Sequence, residues 1–582
     1  MRKFLFLIIP FLISSCDFSD YIMENDYDFT TVFEKSGGTE TATYPQVIDF
    51  YQNLAGVYPS ISLQEMGETD SGKPLHLAVF NPDGEFDIEN LRKDHNILFI
   101  VNGIHPGESD GIDATMMLFR DLAQDSIPVP ENTIIATIPV YNVGGALNRN
   151  SSTRTNQNGP KSYGFRGNAR NFDLNRDFIK ADTKNTRSFY EIFHYLKPDV
   201  LIDTHVSNGA DYQYVLSHLF TQHNKLGGEL GEFLNEKITP ALEKDLMEKD
   251  LPITPYVNVF GDVPEKGFNQ FLDTPRYSTG YAALWNTLGM MVETHMLKPY
   301  DQRVMATYEL LRSMISITEE NAAQIEKLRA AAFEDFREKE YYSFGYEADS
   351  SDFRVLDFKG YEADTLESVV TGLPRLKYDR SKPFTKEVNY YNQFRPTGKV
   401  SVPSGYIIPQ AWYRVINLLE LNEVEMKQFE KDTTMKVEVY HIADFETRNR
   451  AYEGHYPHYN TRVTKSIETV EIGEGDYYVS TDQRAGRYLM AVLEPEAPDS
   501  YFNWNFFDSI LQQKEHFSSY VFEEEAEEIL EDYPEIDKEF QRKRQTDPEF
   551  AGNAYAQLNW IYKQSDHYEE AHLRYPIFRL VR

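Results

Sequence analysis

Two patterns alternate along the first half of the chain. Apolar runs bounded by glycine, proline, asparagine or aspartate, at Leu75–Phe80, Ile97–Val101, Thr133–Val140, Val200–His205 and Gly289–Glu293, read as buried strands. Apolar positions recurring with helical spacing predict helices over Val47–Tyr58, 110–123, 183–197, 224–248 and 301–337. Strands alternating with helices predict an α/β fold, a mixed, mainly parallel sheet sandwiched by helices. A loop rich in glycine, asparagine and arginine runs from Asn142 to Asn171, and ordered loops of that length usually carry function.

The pattern changes near residue 338. Tyrosine and acidic residues dominate from there to the end. Met435–Tyr440 and Asp476–Ser480 read as strands, and Gln410–Leu421, Val424–Lys431 and the acidic stretch Phe522–Phe540 as helices. Residues 338–582 therefore read as a second, mixed α/β accessory unit, to which the sequence assigns no chemistry.

Composition narrows the partners. The chain has 582 residues, 41% hydrophobic and 26% charged, enough to bury more than one core. A net charge of −34 excludes a nucleic-acid partner, because phosphate contacts need a basic surface, and disfavours unassisted docking on anionic lipid.

The N-terminus reads as an export signal. Arg2 and Lys3 precede an apolar stretch, Phe4–Ile13, too short to span a bilayer. Ile13-Ser14-Ser15-Cys16 follows, and Cys16 is the only cysteine, so no internal disulfide can form. Small residues ahead of that cysteine resemble a bacterial lipobox. The resemblance implies a signal peptide over 1–15, lipidation of Cys16 and attachment to a membrane through that lipid. The competing reading is an ordinary secreted protein with an incidental cysteine. On the first, the protein is exported and membrane-anchored, facing the periplasm or the cell surface. Residues 16–40 read as an acidic tether, and 41–337 as the domain that carries the chemistry.

That chemistry begins where the strand Ile97–Val101 ends. A glycine turn then presents His105 and Glu108, between a strand and a helix, where open α/β sheets place their sites. The pair alone is weak: with 14 histidines, about one His-x-x-Glu arises by chance. A second copy, His567/Glu570, follows no strand and reads as a solvated helix face. What lifts the first pair is its company. The strand Val200–His205 ends in histidine and the strand Gly289–Glu293 in glutamate. Two histidines and a glutamate with an open fourth position make a catalytic zinc set, and a further glutamate can take a proton from water beside the metal. Between these segments lies Arg166-Gly-Asn-Ala-Arg-Asn-Phe-Asp173-Leu-Asn175-Arg176, whose guanidinium forks suit a carboxylate ligand. One rival overlaps the pair: Gly107-Glu-Ser109-Asp-Gly111 matches the Gly-x-Ser-x-Gly elbow of serine hydrolases. An elbow's strand runs straight into its turn, whereas Asn102–Pro106 intervene here, so Ser109 reads as a helix cap.

The ordered set His-x-x-Glu, Asp-x-Asn-Arg, His, Tyr, Glu resembles the zinc carboxypeptidases of the carboxypeptidase A type, over roughly residues 44–335. The resemblance implies one zinc ion per chain held by His105, Glu108 and His205, with Asp173 orienting the first histidine. It implies Asn175 and Arg176 as the clamp for a terminal carboxylate, Tyr277 as the substrate-capping tyrosine and Glu293 as general base. Arg166, nine residues before Asn175, matches the arginine that polarises the scissile carbonyl. Arg154 and Arg149 compete for that role, and Tyr281 competes with Tyr277. The implied substrates are peptide or protein C-termini. Two alternatives remain: a related zinc amidase acting on cell-wall peptides, and an inactive binding lipoprotein. Val206 and Ser207-Asn208-Gly209 depart from the small polar run common after this histidine in the family.

Overall fold

The computed structural model of the chain describes residues 27–581. The expected signal peptide (1–15) and Cys16 lie outside the described residues. Eight strands form the central sheet: β1 (Ile61–Glu68), β2 (Pro74–Phe80), β3 (Asn96–Val101), β4 (Thr133–Ile138), β5 (Val200–Ser207), β6 (Leu216–Phe220), β7 (Ile253–Pro255) and, after a two-residue strand β8 (Phe268–Asn269) that belongs elsewhere, β9 (Leu288–His295). Their order is β1-β2-β4-β3-β5-β9-β6-β7. The centre, β4-β3-β5-β9, is parallel, while β1/β2, β2/β4 and β9/β6 are antiparallel.

Every residue of β3, β4 and β5 is buried. Successive side chains of a strand point to opposite faces, so both faces are covered, and these strands read as largely apolar runs for that reason. Helices Asp110–Ala123, Lys184–Leu196 and Tyr300–Glu320 pack against the sheet. The observed fold is thus the mixed, mainly parallel sheet between helices that the two alternating patterns predict. No helix among the described residues is long and apolar enough to cross a membrane.

Two glycines set the approach to the site. Gly103 turns the chain after β3 with φ +65°. Gly111 opens the next helix against β5: a Cβ there would stand 2.0 Å from Thr204 Oγ1. Only glycine lets the helix start press on β5, and that contact draws the His105–Glu108 loop to the end of β5.

Four expectations need correction. Of the acidic tether expected over 16–40, residues 16–26 lie outside the described residues and 27–40 pack on the domain: Phe33 is 5% exposed and stands edge-on to Tyr300, and Phe29 edge-on to Phe50. Glu34 closes a capping box with Thr31 and pairs with Arg120 at 2.7 Å, and Glu40 pairs with Lys161 at 2.8 Å, so a few aromatics and two ion pairs outweigh the polarity of the stretch. The helix expected over 224–248 breaks at Gly227 and Gly228, both at positive φ, and continues through a π-turn at Leu234–Ile238 into Thr239–Glu248. Val424–Lys431 is not helical: Glu423 adopts φ +51° after the helix Tyr413–Leu421, and Lys427–Gln428 joins a sheet edge. Phe522–Phe540 is two helices, Ser519–Asp532 and Pro534–Thr546, because Pro534 starts a new one.

Beyond residue 338 come two antiparallel pairs, β10 (Tyr341–Ala348) with β13 (Phe394–Ser401), and the long hairpin β11 (Arg354–Glu367) with β12 (Pro374–Tyr391), which also pairs with β8. A six-stranded sheet follows, built from β14 (Gly405–Ile408), β15 (Lys427–Gln428), β16 (Thr433–Thr447), β17 (His458–Ile472), β18 (Tyr477–Ser480) and β19 (Phe578–Leu580). This region shares one continuous apolar core with the domain before it. Trp285 stacks on Tyr488 with centroids 5.5 Å apart, and Asn422 Oδ1 accepts the Tyr281 hydroxyl at 2.7 Å.

Candidate metal centre

Three segments meet at the carboxyl ends of β3, β5 and β9. Within the loop after β3, the Glu108 amide donates to the His105 carbonyl at 2.8 Å, a turn that sets the two side chains together. His105 Nδ1 lies 3.3 Å from Glu108 Oε2, His205 Nδ1 lies 3.1 Å from the same oxygen, and the two Nδ1 atoms are 3.1 Å apart. Ligand atoms about 2.0–2.1 Å from a tetrahedral zinc ion stand roughly 3.3 Å from one another, so this nearly equilateral triangle has the size a zinc site needs. Among the described residues, these three form the one group with metal-ligand spacing.

The far nitrogens fix what the near ones can do. His105 Nε2 is 2.9 Å from Asp173 Oδ1, and His205 Nε2 is 2.7 Å from Asp203 Oδ2. Carboxylates accept, so each Nε2 carries the hydrogen and each Nδ1 turns a lone pair inward. Two lone pairs and a carboxylate facing one another about 3 Å apart repel unless a cation lies between them, so the residues present fit a bound divalent metal. The electrostatics agree. Burial opposes charge on His205, but Asp203 and Glu108 outweigh it and hold the imidazole well above its ordinary value. Burial likewise opposes ionisation of Glu108, yet Arg154, whose Nη1 donates to Oε1 at 2.9 Å, and His105 hold its carboxyl well below the usual range.

Asp203 escaped the sequence reading. Its signal was available: it stands two residues before His205 on one strand, and the strand's two-residue period puts both on one face.

Glu293 is the register partner of His205 across β5 and β9. Burial raises its carboxyl to about 8; His205 and Arg166 pull it down while Glu108 and Asp203 push it up. Together with the triangle, Glu293, Arg166, Asn175, Arg176 and Tyr277 line a single cavity. The rest of its wall includes Val206, Leu219, Tyr256, Phe271 and Met291.

Asp173 anchors the loop that carries several of these residues. It caps the short turn Leu174–Arg176 through the Asn175 amide, and takes Arg166 Nε at 3.0 Å and Nη2 at 2.8 Å. Arg166 Nη1 lies 3.5 Å from Glu108. Asn175 Oδ1 accepts the Ser278 amide at 3.1 Å, and Nδ2 sits 3.4 Å from His205 Nε2. The Arg176 guanidinium lies over the Tyr277 ring at 4.5 Å, and that ring meets Phe271 edge-on.

The competitors fall elsewhere. Arg149 binds the carbonyls of Thr41, Ala42 and Ser162, away from the cavity. Tyr281 is 0% exposed and bonded to His194 and Asn422, so it is a core residue and cannot cap a substrate. Arg154 braces Glu108 from outside the cavity wall. Ser109 is buried against the Tyr300 hydroxyl, and His567 is paired with Glu525 on the surface.

No family model matches the chain. Among curated proteins it is similar to carboxypeptidase 2 of Trichophyton rubrum, 21% identical over 486 residues, 80% of this chain and 84% of that protein. It is also similar to carboxypeptidase 2 of Trichophyton equinum, 21% identical over 425 residues, 69% of this chain and 72% of that one. Eighty per cent of this chain is more than residues 1–337 contain, so the first likeness runs into the C-terminal region. Solved structures that match include a metallo-carboxypeptidase from Burkholderia cenocepacia (15% identity, TM-score 0.36, 48% of this chain and 70% of that one). Another is carboxypeptidase A from Helicoverpa armigera (14% identity, TM-score 0.37, 48% and 74%). The sequence relatives and the buried His-Glu-His triangle together support a metallopeptidase.

Proposed function

We propose that the protein is a zinc-dependent carboxypeptidase that removes residues from peptide or protein C-termini. The observation that carries the reading is the 3.1–3.3 Å triangle of His105 Nδ1, Glu108 Oε2 and His205 Nδ1, with Glu293 in register beside it. A zinc ion held there would lower the pKa of water and polarise a carbonyl oxygen. The chain's own groups supply the rest. Glu293 accepts the proton of the attacking water and returns it to the leaving amine, and the positive charges of His205 and Arg166 favour the ionised form that accepts. Arg166 keeps Nε and Nη2 on Asp173, which aims Nη1 at the oxyanion that develops on the scissile carbonyl, and one such donor is worth roughly 3 kcal/mol. Asn175 and Arg176 hold the substrate's terminal carboxylate, and Tyr277 covers it from the mouth of the cavity. Binding energy at the chain end thereby places the reacting bond.

Cell-wall peptides also carry a free carboxylate, so a related amidase shares the clamp. Incubating the protein with one peptide in free and C-terminally amidated forms, with and without chelator, tests the reading. Chelator-sensitive trimming of the free form alone supports it. Chelator-sensitive cleavage of the amidated form moves the amidase ahead, and no turnover of either leaves a binding protein. We further propose export as a lipoprotein anchored through Cys16, which rests on the sequence Ile13-Ser14-Ser15-Cys16. Mass spectrometry of the membrane-extracted protein tests this: a diacylglyceryl adduct on an N-terminal Cys16 supports it, and an unmodified cysteine rejects it.

A further inference from the structure

The strands β16 and β17 extend past their sheet to a tight turn at Tyr452-Glu453-Gly454-His455. The amide of Tyr452 donates to the His455 carbonyl at 2.8 Å and the reverse bond is 3.1 Å, closing a two-residue loop. Glu453 has φ +48° and Gly454 φ +79°. Positive φ at both central positions is what a type I′ turn demands, and such turns favour asparagine, aspartate or glycine at the first of them. A glutamate in the left-handed region is disfavoured by the clash of its Cβ with the backbone, so the position asks what the side chain does in return.

Three successive residues of this turn press on the loop beside the metal centre. Glu453 Oε2 accepts the amide of Asp173 at 2.8 Å. Gly454 lies against Phe172, where a Cβ would come within 2.9 Å of the ring. His455 Nε2 pairs with Asp182 at 2.7 Å. Glu453 is 280 residues from Asp173 in the chain, and it belongs to the region to which the sequence assigned no chemistry. Asp173 in turn makes the contact to His105 Nε2, holds Arg166 and caps the turn that carries Asn175 and Arg176.

We infer that Glu453 is a positioning residue for the metal centre: the C-terminal region inserts a strained β-turn whose carboxylate fixes the backbone of Asp173, and so fixes His105 and the Asn175–Arg176 turn behind it. The C-terminal region is then a working part of the catalytic site. This rests on the reading of His105 as a metal ligand oriented by Asp173.

Two variants of the full chain separate positioning from mere packing. Glu453→Asn suits the left-handed turn but is too short to reach Asp173; Glu453→Gln keeps the length and the accepting oxygen. The readouts are thermal stability, exchange of the Asp173 amide in the metal-free protein, zinc release to a chelator and hydrolysis of a C-terminally free peptide. E453N is expected to melt no lower than wild type, to exchange the Asp173 amide about tenfold faster, to release zinc about tenfold faster and to lose about fivefold in kcat/KM; E453Q is expected to match wild type in the last three. An E453N protein with unchanged amide exchange and zinc release overturns the inference, as does one whose losses merely follow a lowered melting temperature. If wild type binds no zinc, the metal reading fails, and the amide-exchange comparison still decides whether Glu453 holds the loop.

Discussion

Glu293 and His205 face each other as register partners on the adjacent parallel strands β5 and β9. In a parallel pair, partnered residues point to the same face. The sheet itself therefore places the carboxylate proposed to accept the proton beside an imidazole of the candidate metal site, and neither depends on a loop for its place. Loops supply the residues proposed to hold the substrate: the turn Leu174–Arg176, and Tyr277 at the start of a short helix.

Asp203 gives the first prediction. It accepts from His205 Nε2 and from the Ser278 hydroxyl. Replacing it with asparagine keeps its size but lets the amide present a donor to Nε2, which favours the wrong imidazole tautomer. Asp203→Asn is expected to weaken zinc binding about 10–100-fold while the fold is retained, as read by zinc competition against a chelator and by circular dichroism. An affinity within twofold of wild type contradicts the assignment.

Arg176 gives the second. A carboxylate clamp contributes to binding of the free chain end and little to the bond-breaking step. Arg176→Ala is expected to raise KM for a free-acid peptide about 10–100-fold, the worth of a hydrogen bond to a charged group, with kcat changed less than about threefold. Steady-state kinetics read the split. A fall in kcat at constant KM would place Arg176 in the chemistry instead.

Metal removal gives the third. Without the metal, the triangle of His105, Glu108 and His205 can offset its facing lone pairs and carboxylate only by holding a proton on His205, which zinc must displace. Zinc at about a thousand times its dissociation constant is expected to add about 4 kcal/mol to stability, seen as a raised melting temperature that excess chelator abolishes. Identical melting curves with and without zinc contradict the site.

The fourth concerns pH and lies away from the metal. Burial raises the Asp113 carboxyl from 3.8 to about 6, with repulsion from Asp110 adding to the rise and the hydrogen bond from the Tyr300 hydroxyl opposing it. The native state then keeps a proton that the unfolded chain releases near pH 4. Stability falls as pH rises between about 4 and 6, and the loss, on the order of 3 kcal/mol, is complete above that window. Asp113→Asn removes it. Denaturant titrations are expected to find D113N more stable than wild type at pH 7.5 and the gap closing towards pH 4; a gap independent of pH rules the account out.

Much of this was legible in the sequence because the strands that build the site are buried on both faces. Ile97–Val101 and Val200–His205 stand out as apolar runs, and their polar endings mark where chemistry begins. Asp203 was hidden inside such a run, where a lone aspartate looks like an interruption until the two-residue period is applied. The helix breaks at Gly227 and Pro534 were written in residue type, but the acidic and apolar periodicity around them ran straight across. The Glu453 contact could not be read at all: it joins residues 280 apart through a turn whose conformation disfavours the residue that makes it. The packing of 27–40 on the domain was equally invisible, since Phe29 and Phe33 are too few to mark a core until Phe50 and Tyr300 are brought against them.

The central claim is that Glu293 moves the proton while His105, Glu108 and His205 hold the metal. The direct measurement is zinc content and hydrolysis of a C-terminally free peptide by wild type and Glu293→Gln, purified side by side. One zinc per chain in both proteins, with kcat lowered about 10²–10⁴-fold in the variant, is the predicted result. A variant that keeps its zinc and hydrolyses the peptide at the wild-type rate would contradict it.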